Sequence, residues 1–119
     1  MDKNLPDIST EQDVEFLVKT FYGRVLKDEL LAPHFAHINF EEHFPRMIAF
    51  WNFILLDKAG YIGNVFDKHA NLKINETHFD NWLLHFTNVL HDFFEGEKAT
   101  LARQRAEVLK FTFLSKMKK

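Results

Sequence analysis

The chain of 119 residues has the length of one domain, which we expect to span residues 1–119. Its formal charge of -2 provides no field for nucleic acid or an anionic membrane, and no apolar run is long enough for a membrane span. The first seven residues are polar and lack the apolar core of a signal peptide. The absence of cysteine excludes disulfides, thiolate catalysis and iron–sulfur clusters. We therefore expect a cytoplasmic protein without nucleic-acid or membrane partners.

The first predicted helix begins at Ser9 or Thr10 and ends before Pro33. Either residue is a typical N-cap, and Gln12 or Asp13 three residues later completes the pattern of a capping box. The residue before a proline is pushed out of helical geometry, so the helix is expected to end at Leu31-Ala32-Pro33. Apolar residues recur every three or four positions and indicate one buried face: Val14, Leu17, Val18, Phe21, Tyr22, Val25 and Leu26.

The second predicted helix follows a short connection, His34 to Ile38, and begins after Asn39, its expected N-cap. Its apolar residues form two adjacent stripes, and an arc this wide favours two contacts at once, one with another helix and one with a pocket. The stripes consist of Phe44, Ile48, Trp51 and Leu55, and of Met47, Phe50 and Ile54 continued back to His43.

Gly60 and Gly63 break the helical pattern, and an irregular stretch runs from Asp57 to about Asn75. Connections this long are usually functional or disordered, and the apolar residues within this one argue against disorder. A third helix is predicted from Asn75 to a stop at Gly96, with Trp82 on the flank of a face formed by Phe79, Leu83, Phe86, Leu90 and Phe93. A fourth runs from about Glu97 towards the end of the chain, with Leu101, Arg105, Val108, Leu109 and Phe113 at helical spacing.

Phenylalanine occurs 14 times and histidine seven times. The phenylalanines fit either an ordinary aromatic core or a core that packs around a large flat group. Neutral imidazole is the commonest protein metal ligand, and two histidines stand in apolar surroundings. His43 lies on the apolar arc of the second helix, and His69 lies in the irregular stretch with apolar residues on both sides. Each is a ligand candidate, and a hydrogen-bonded core histidine is the alternative for each.

Tyr22 and Trp82 bring further polar groups to apolar helical faces. A buried tyrosine hydroxyl or indole N–H usually finds an acceptor, so each is a candidate for binding a polar ligand. A core aromatic with its polar tip at the surface is the alternative for both.

Taken in chain order, these residues resemble a known family. Phe21-Tyr22 is followed by His43 and Phe50-Trp51, and Tyr61-Ile62-Gly63-Asn64 leads to His69. The series continues with Leu72 to Ile74, His78-Phe79-Asp80-Asn81-Trp82-Leu83 and Gln104-Arg105-Ala106. It covers essentially the whole chain and resembles the third group of the truncated haemoglobins. The glycine-pair motifs of the other truncated groups are absent here, as they are in the third group.

The resemblance implies an all-α, globin-like fold in which a two-over-two helical sandwich encloses haem b. It also implies that His69 is the proximal ligand of the iron. Tyr22, His43 and Trp82 match the polar residues that line the opposite, distal side of the haem in that group.

Five further residues complete the expected pocket, and Phe35 is the first of them. It matches the phenylalanine that packs against the haem after the first long helix. Met47 and Phe50 are expected to line the pocket from the wide face of the second helix. Arg46 and Lys68 are assigned to the haem propionates from their charge and position, and solvated surface charges are the alternative for both.

Three functions follow as hypotheses. The first is a monomeric haem protein that binds oxygen, nitric oxide or carbon monoxide, with high oxygen affinity because the distal side offers polar donors. The second is a haem enzyme, a nitric oxide dioxygenase or peroxidase-like, that needs a separate electron-donor reductase. The third is a helical interaction module without haem, in which His69 is structural. We favour the first.

Overall fold

The computed structural model describes residues 5–35, 39–58 and 75–117, and this part of the chain consists of helices joined by turns. Five helices follow one another in it, with no strand among the described residues. They are α1 (Glu11–Val25), α2 (Ala32–Phe35), α3 (Phe40–Leu56), α4 (Glu76–Phe93) and α5 (Glu97–Met117). The four long helices are those that the apolar spacing predicts, whereas the single turn of α2 is not predicted.

The predicted N-caps are confirmed. Thr10 Oγ1 accepts the N–H of Asp13, and the Asp13 carboxylate accepts the N–H of Thr10, each at 3.1 Å, which completes the capping box. The side chains of Asn39 and Asn75 likewise accept N–H groups in the first turns of α3 and α4. These signals are local, since each cap and the N–H groups that donate to it lie within three residues, and this is why the sequence alone reveals them.

The predicted end of the first helix is wrong. α1 ends at Val25, and the chain turns around Asp28 before α2 begins at Ala32. The Asp28 carboxylate accepts the N–H of Leu30 at 2.8 Å, and this local bond competes with continuation of the helix. Pro33 is then the second residue of α2, where a missing N–H costs nothing because first-turn N–H groups have no intrahelical acceptor.

α3 presents the wide apolar arc that its sequence predicts. The fully buried apolar residues and the partly buried ones beside them are Met47, Phe50, Trp51, Leu55, Phe44, Ile48 and Ile54. Asn52 is also buried, although it belongs to neither stripe. Its Nδ2 donates weakly to Glu11 at 3.5 Å, and its Oδ1 has no hydrogen-bond partner among the described residues.

α4 is rotated relative to the predicted stripe. Trp82, expected on its flank, is 7% exposed, whereas Phe93, expected in the core, is 37% exposed. The buried residues are Phe79, Trp82, Phe86, Val89 and Leu90. Phe93 packs edge-on against Phe16 of α1 at the surface, with ring centroids 4.9 Å apart. The rotation places the Trp82 indole inside the helical sandwich.

The long helices form two antiparallel pairs that pack against each other. Asn52 near the end of α3 reaches Glu11 at the start of α1, and His43 near the start of α3 reaches Tyr22 near the end of α1. α4 and α5 are joined by residues 94–96 alone, so α5 runs back along α4. Since α1 also packs on α4 and α3 on α5, the all-α, two-over-two arrangement expected from the sequence is confirmed.

The segment before α1 is tied to the junction of α4 and α5. The Asp7 carboxylate accepts the N–H groups of Lys98 and Ala99, each at 2.9 Å, and so caps α5 from a distant part of the chain. Gly96 stands at this junction with a φ of 141°, and a Cβ there would lie 2.6 Å from the Asp7 carboxylate carbon. Glycine is therefore required at this position both by the backbone and by the cap.

α5 is the longest helix and is polar over much of its surface. Its inner face consists of small residues, Ala99, Ala102 and Ala106, and these allow a close approach to the rest of the core. Val108, which lies at helical spacing in the sequence, and Phe111 are both exposed. Among the described helices, none is long and apolar enough to cross a membrane.

Candidate functional site

Tyr22 and His43 form the polar centre of the candidate site. The antiparallel contact of α1 and α3 brings them together, and the Tyr22 hydroxyl lies 2.9 Å from Nε2 of His43. The two rings meet edge to face at 5.0 Å. Tyr22 is almost fully buried, and this burial raises the pKa of its hydroxyl above the ordinary value of 10.0. The hydroxyl is therefore a neutral hydrogen-bond donor and acceptor inside an apolar core.

Rings enclose Tyr22 on several sides. Phe35 of α2 and Phe40 and Phe44 of α3 have centroids 5.5–6.2 Å from the Tyr22 ring. These neighbours carry no polar atom in their side chains, so they hold the tyrosine ring without competing for its hydroxyl proton. Phe35 thus lies beside Tyr22, and its expected contact with the haem stays a prediction.

Trp82 approaches from α4 and is held by two phenylalanines. Its ring is perpendicular to that of Phe21 at 5.6 Å and parallel to that of Phe86 at 6.1 Å. Phe21 also contacts the Tyr22 ring at 4.8 Å, so a single ring bridges the two polar aromatics. No hydrogen bond joins the Trp82 indole N–H to another residue of the described ranges.

Met47 and Phe50 lie on the buried face of α3, as predicted, and belong to the same core as Tyr22 and Trp82. Phe50 packs edge-on against Trp51, with centroids 5.2 Å apart. This face supplies an apolar wall beside the polar centre.

Arg46 is exposed on α3, three residues after His43. Its contact with a haem propionate stays a prediction. His69 and Lys68 lie outside the described residues. Within the described ranges, no group of three or more histidine, aspartate or glutamate side chains could hold a metal ion.

Three other histidines of the described helices, His34, His78 and His85, have structural contacts. His85 Nε2 lies 2.7 Å from the Asp28 carboxylate, a contact that joins α4 to the turn after α1. The rings of His34 and His78 meet edge to face at 4.6 Å, and His78 Nδ1 also bonds to the N-cap Asn75. Burial lowers the pKa of His78, and the nearby charge of His34 lowers it further.

Sequence reasoning assigned no individual role to Phe21, Phe86 or Asp28. Phe21 and Phe86 were expected only as core residues, and their spacing does place them on the inner faces of α1 and α4. Their specific partners depend on how two helices cross, which no local pattern reports. Asp28 carried a local signal, since aspartate often accepts the N–H two residues ahead and so ends a helix.

The comparisons with known proteins agree with this arrangement. The family model for bacterial-like globins matches residues 6–115. A group 3 truncated haemoglobin of Campylobacter jejuni is 27% identical over 106 residues, which span 83% of this chain and 84% of the relative. The crystal structure of a group III truncated haemoglobin from Campylobacter jejuni superimposes with a TM-score of 0.82 at 25% identity, over 98% of this chain and 95% of that one. The chain therefore belongs to the bacterial-like globins and, within them, to the third group of truncated haemoglobins.

Proposed function

We propose that this protein binds haem b through His69 and holds oxygen or another diatomic gas beside Tyr22 and Trp82. Haem binding and gas binding in general follow from membership of the globin family. The observation that carries the finer proposal is the buried Tyr22 hydroxyl, which lies 2.9 Å from His43 and shares the neighbour Phe21 with the Trp82 indole.

The described residues fit one side of a haem pocket. A porphyrin is a broad apolar plate, and the buried face of α3 with Met47 and Phe50 supplies an apolar surface for it. A hydrogen-bond donor that the protein leaves unused can stabilise a gas bound on that side. The Trp82 indole N–H is such a donor, since it bonds to no other described residue.

Haem supplies an iron that coordinates a diatomic ligand reversibly, and the distal residues determine how firmly the ligand is held. Trp82 can only donate a hydrogen bond, because an indole N–H has no lone pair to accept one. Tyr22 stays protonated, because burial raises the pKa of its hydroxyl. Both groups therefore favour a ligand that carries negative charge on its outer atom, as oxygen does.

The Tyr22–His43 bond determines how the hydroxyl proton is used. The hydroxyl has one proton, so Tyr22 cannot donate to His43 and to a gas ligand at the same time. If Nε2 of His43 carries its hydrogen, His43 donates to the Tyr22 oxygen and leaves the tyrosine proton for the ligand. In this arrangement His43 holds Tyr22 in place and keeps the 2.9 Å bond intact.

The experiment that tests the proposal is the visible spectrum of the haem-loaded protein in the ferric, ferrous and carbon monoxide-bound ferrous states. We expect a sharp Soret band that shifts with each state, and its loss or strong alteration in His69→Gly. His91→Gly is the matched control, because His91 is exposed on α4 and should leave every spectrum unchanged. Added imidazole should restore the parental band in His69→Gly by occupying the position of the deleted ring.

Two results would contradict the proposal at different levels. The absence of a specific Soret band in the parent would refute haem binding and favour the hypothesis of a helical interaction module without haem. An unaltered spectrum in His69→Gly would support haem binding but refute His69 as the iron ligand. His43 would then be the next residue to test.

A further inference from the structure

The turn between α1 and α2 contains a carboxylate that bonds in two directions. On one side, Asp28 Oδ1 accepts the N–H of Leu30 at 2.8 Å and, more weakly, that of Leu31 at 3.4 Å. On the other side, Oδ2 accepts from His85 Nε2 at 2.7 Å and from Asn81 Nδ2 at 3.4 Å. One side chain thus shapes the turn that leads to α2 and ties this turn to α4.

This link is sheltered from solvent. The side chains of Asp28 and His85 are only 15% and 24% exposed, so water screens their contact less than it screens a surface ion pair. The hydrogen bond from His85 lowers the pKa of the Asp28 carboxyl, which keeps it ionised. Hydrogen bonds to an ionised acceptor are shorter and stronger than neutral ones, and the 2.7 Å distance agrees with this.

The two ends of the link lead to opposite sides of the candidate pocket. On α4, Asn81 immediately precedes Trp82 and His85 follows it by three residues, so both bonds hold the turn that carries the indole. On the other side, the Asp28 turn leads into α2, whose Phe35 packs 6.2 Å from the Tyr22 ring. A shift of α4 relative to this turn would therefore change the position of Trp82 relative to Tyr22.

We propose that Asp28 is a positioning residue, which acts through His85 and Asn81 to hold the Trp82 indole at the correct distance from Tyr22 for both to bond the same ligand. Asp28 does not touch the ligand in this role. The inference rests on the proposed function, since it concerns the gas ligand that Tyr22 and Trp82 would share.

The test compares variants that cut the link with one that preserves it. Asp28→Ser keeps a side-chain oxygen for the turn but is too short to reach α4. His85→Leu removes the donor, whereas His85→Gln keeps an N–H donor near the position of Nε2. In the carbon monoxide complex of the haem-loaded protein, the infrared C–O stretching band and the Trp82 indole N–H resonance report the pocket directly.

We expect the band and the resonance to shift in Asp28→Ser and in His85→Leu, and to stay at their parental positions in His85→Gln. Oxygen release should accelerate about three- to tenfold in the first two variants, as expected when a hydrogen bond is weakened but not deleted. Asp92→Asn is the matched control. It breaks the 2.9 Å Arg24–Asp92 ion pair, which also joins α1 to α4 but lies ten residues beyond Trp82, and should change neither signal.

Parental bands and release rates in both Asp28→Ser and His85→Leu would overturn the positioning role. If Tyr22→Phe changes the band in the same experiment, the proposed function stands and only the role of Asp28 is refuted. An equal change in Asp92→Asn would also overturn it, because any loosening of α1 against α4 would then suffice. A parent that forms no carbon monoxide complex refutes the proposed function, and the role of Asp28 with it.

Discussion

Replacing Tyr22 by phenylalanine deletes one hydroxyl and keeps the ring that packs against Phe21 and Phe35. The hydroxyl is buried and neutral, and its 2.9 Å bond to His43 fixes its position. The variant therefore isolates one hydrogen bond to the gas from the apolar packing around it. We expect oxygen to leave the haem-loaded variant faster than it leaves the parent.

The magnitude follows from the chemistry of the acceptor. A hydrogen bond to a charged group contributes roughly 1.5–3 kcal/mol, so its loss accelerates oxygen release by about 10- to 150-fold. Carbon monoxide carries less charge on its outer atom, so its release should accelerate by a smaller factor in the same variant. The assay is stopped-flow displacement of oxygen by carbon monoxide, with carbon monoxide release measured by displacement with nitric oxide.

Two controls separate the hydroxyl from general loosening of the pocket. Phe44→Leu alters a ring 6.0 Å from Tyr22 without removing a polar group, and it should change both release rates by similar, small factors. His43→Leu removes the partner of the hydroxyl but leaves its proton, so it should accelerate oxygen release less than Tyr22→Phe does. Equal oxygen release from Tyr22→Phe and from the parent would refute the reasoning.

Three further predictions concern stability and pH. Asp7→Ala should lower the free energy of unfolding in urea by about 1–2 kcal/mol, since it uncaps α5, and an unchanged value would show that the cap is not used. Asn52→Leu should leave the melting temperature unchanged or higher, because the Asn52 carbonyl is buried without a partner among the described residues; a clear fall would contradict this. Burial and the charge of His34 lower the pKa of His78, so protonation favours the unfolded chain, and stability should fall as the pH drops below 6.5. That fall should be smaller in His78→Gln, and an identical pH profile would assign it to another group.

The sequence reveals those parts of the fold that depend only on contacts between residues close together in the chain. Thr10 and Asn39 are recognisable caps because a short polar side chain satisfies the N–H groups next to it. The end of α1 is not recognisable in this way. α1 ends at Val25, and Asp28 shapes the turn that follows together with a partner on α4, whereas Pro33, at which the helix is expected to end, lies in the first turn of α2.

The candidate site likewise contains residues that local spacing predicts and residues whose position depends on contacts between helices. Spacing alone places Tyr22 on the inner face of α1 and Met47 and Phe50 on that of α3, and the structure agrees. The inward rotation of Trp82 depends on the crossing of α1 and α4, where Phe21 fills the space between them. A small change in the angle between α1 and α4 would bury a neighbour of Trp82 on α4 in its place. The spacing of apolar residues does not report such a change.

The abundance of phenylalanine has a physical reason in this arrangement. A donor can serve a gas ligand only if the protein leaves it unsatisfied, and an unsatisfied buried donor costs about 1–3 kcal/mol when no ligand is present. Phe21 stabilises this region, since it makes edge contacts with Tyr22, Trp82 and Phe86, and aromatic pairs contribute about 0.5–1.5 kcal/mol each beyond burial. A leucine at this position would fill much of the space but lose those contacts, and a polar residue would capture the donors. Phenylalanine alone among these choices stabilises the core without offering an acceptor to either polar aromatic.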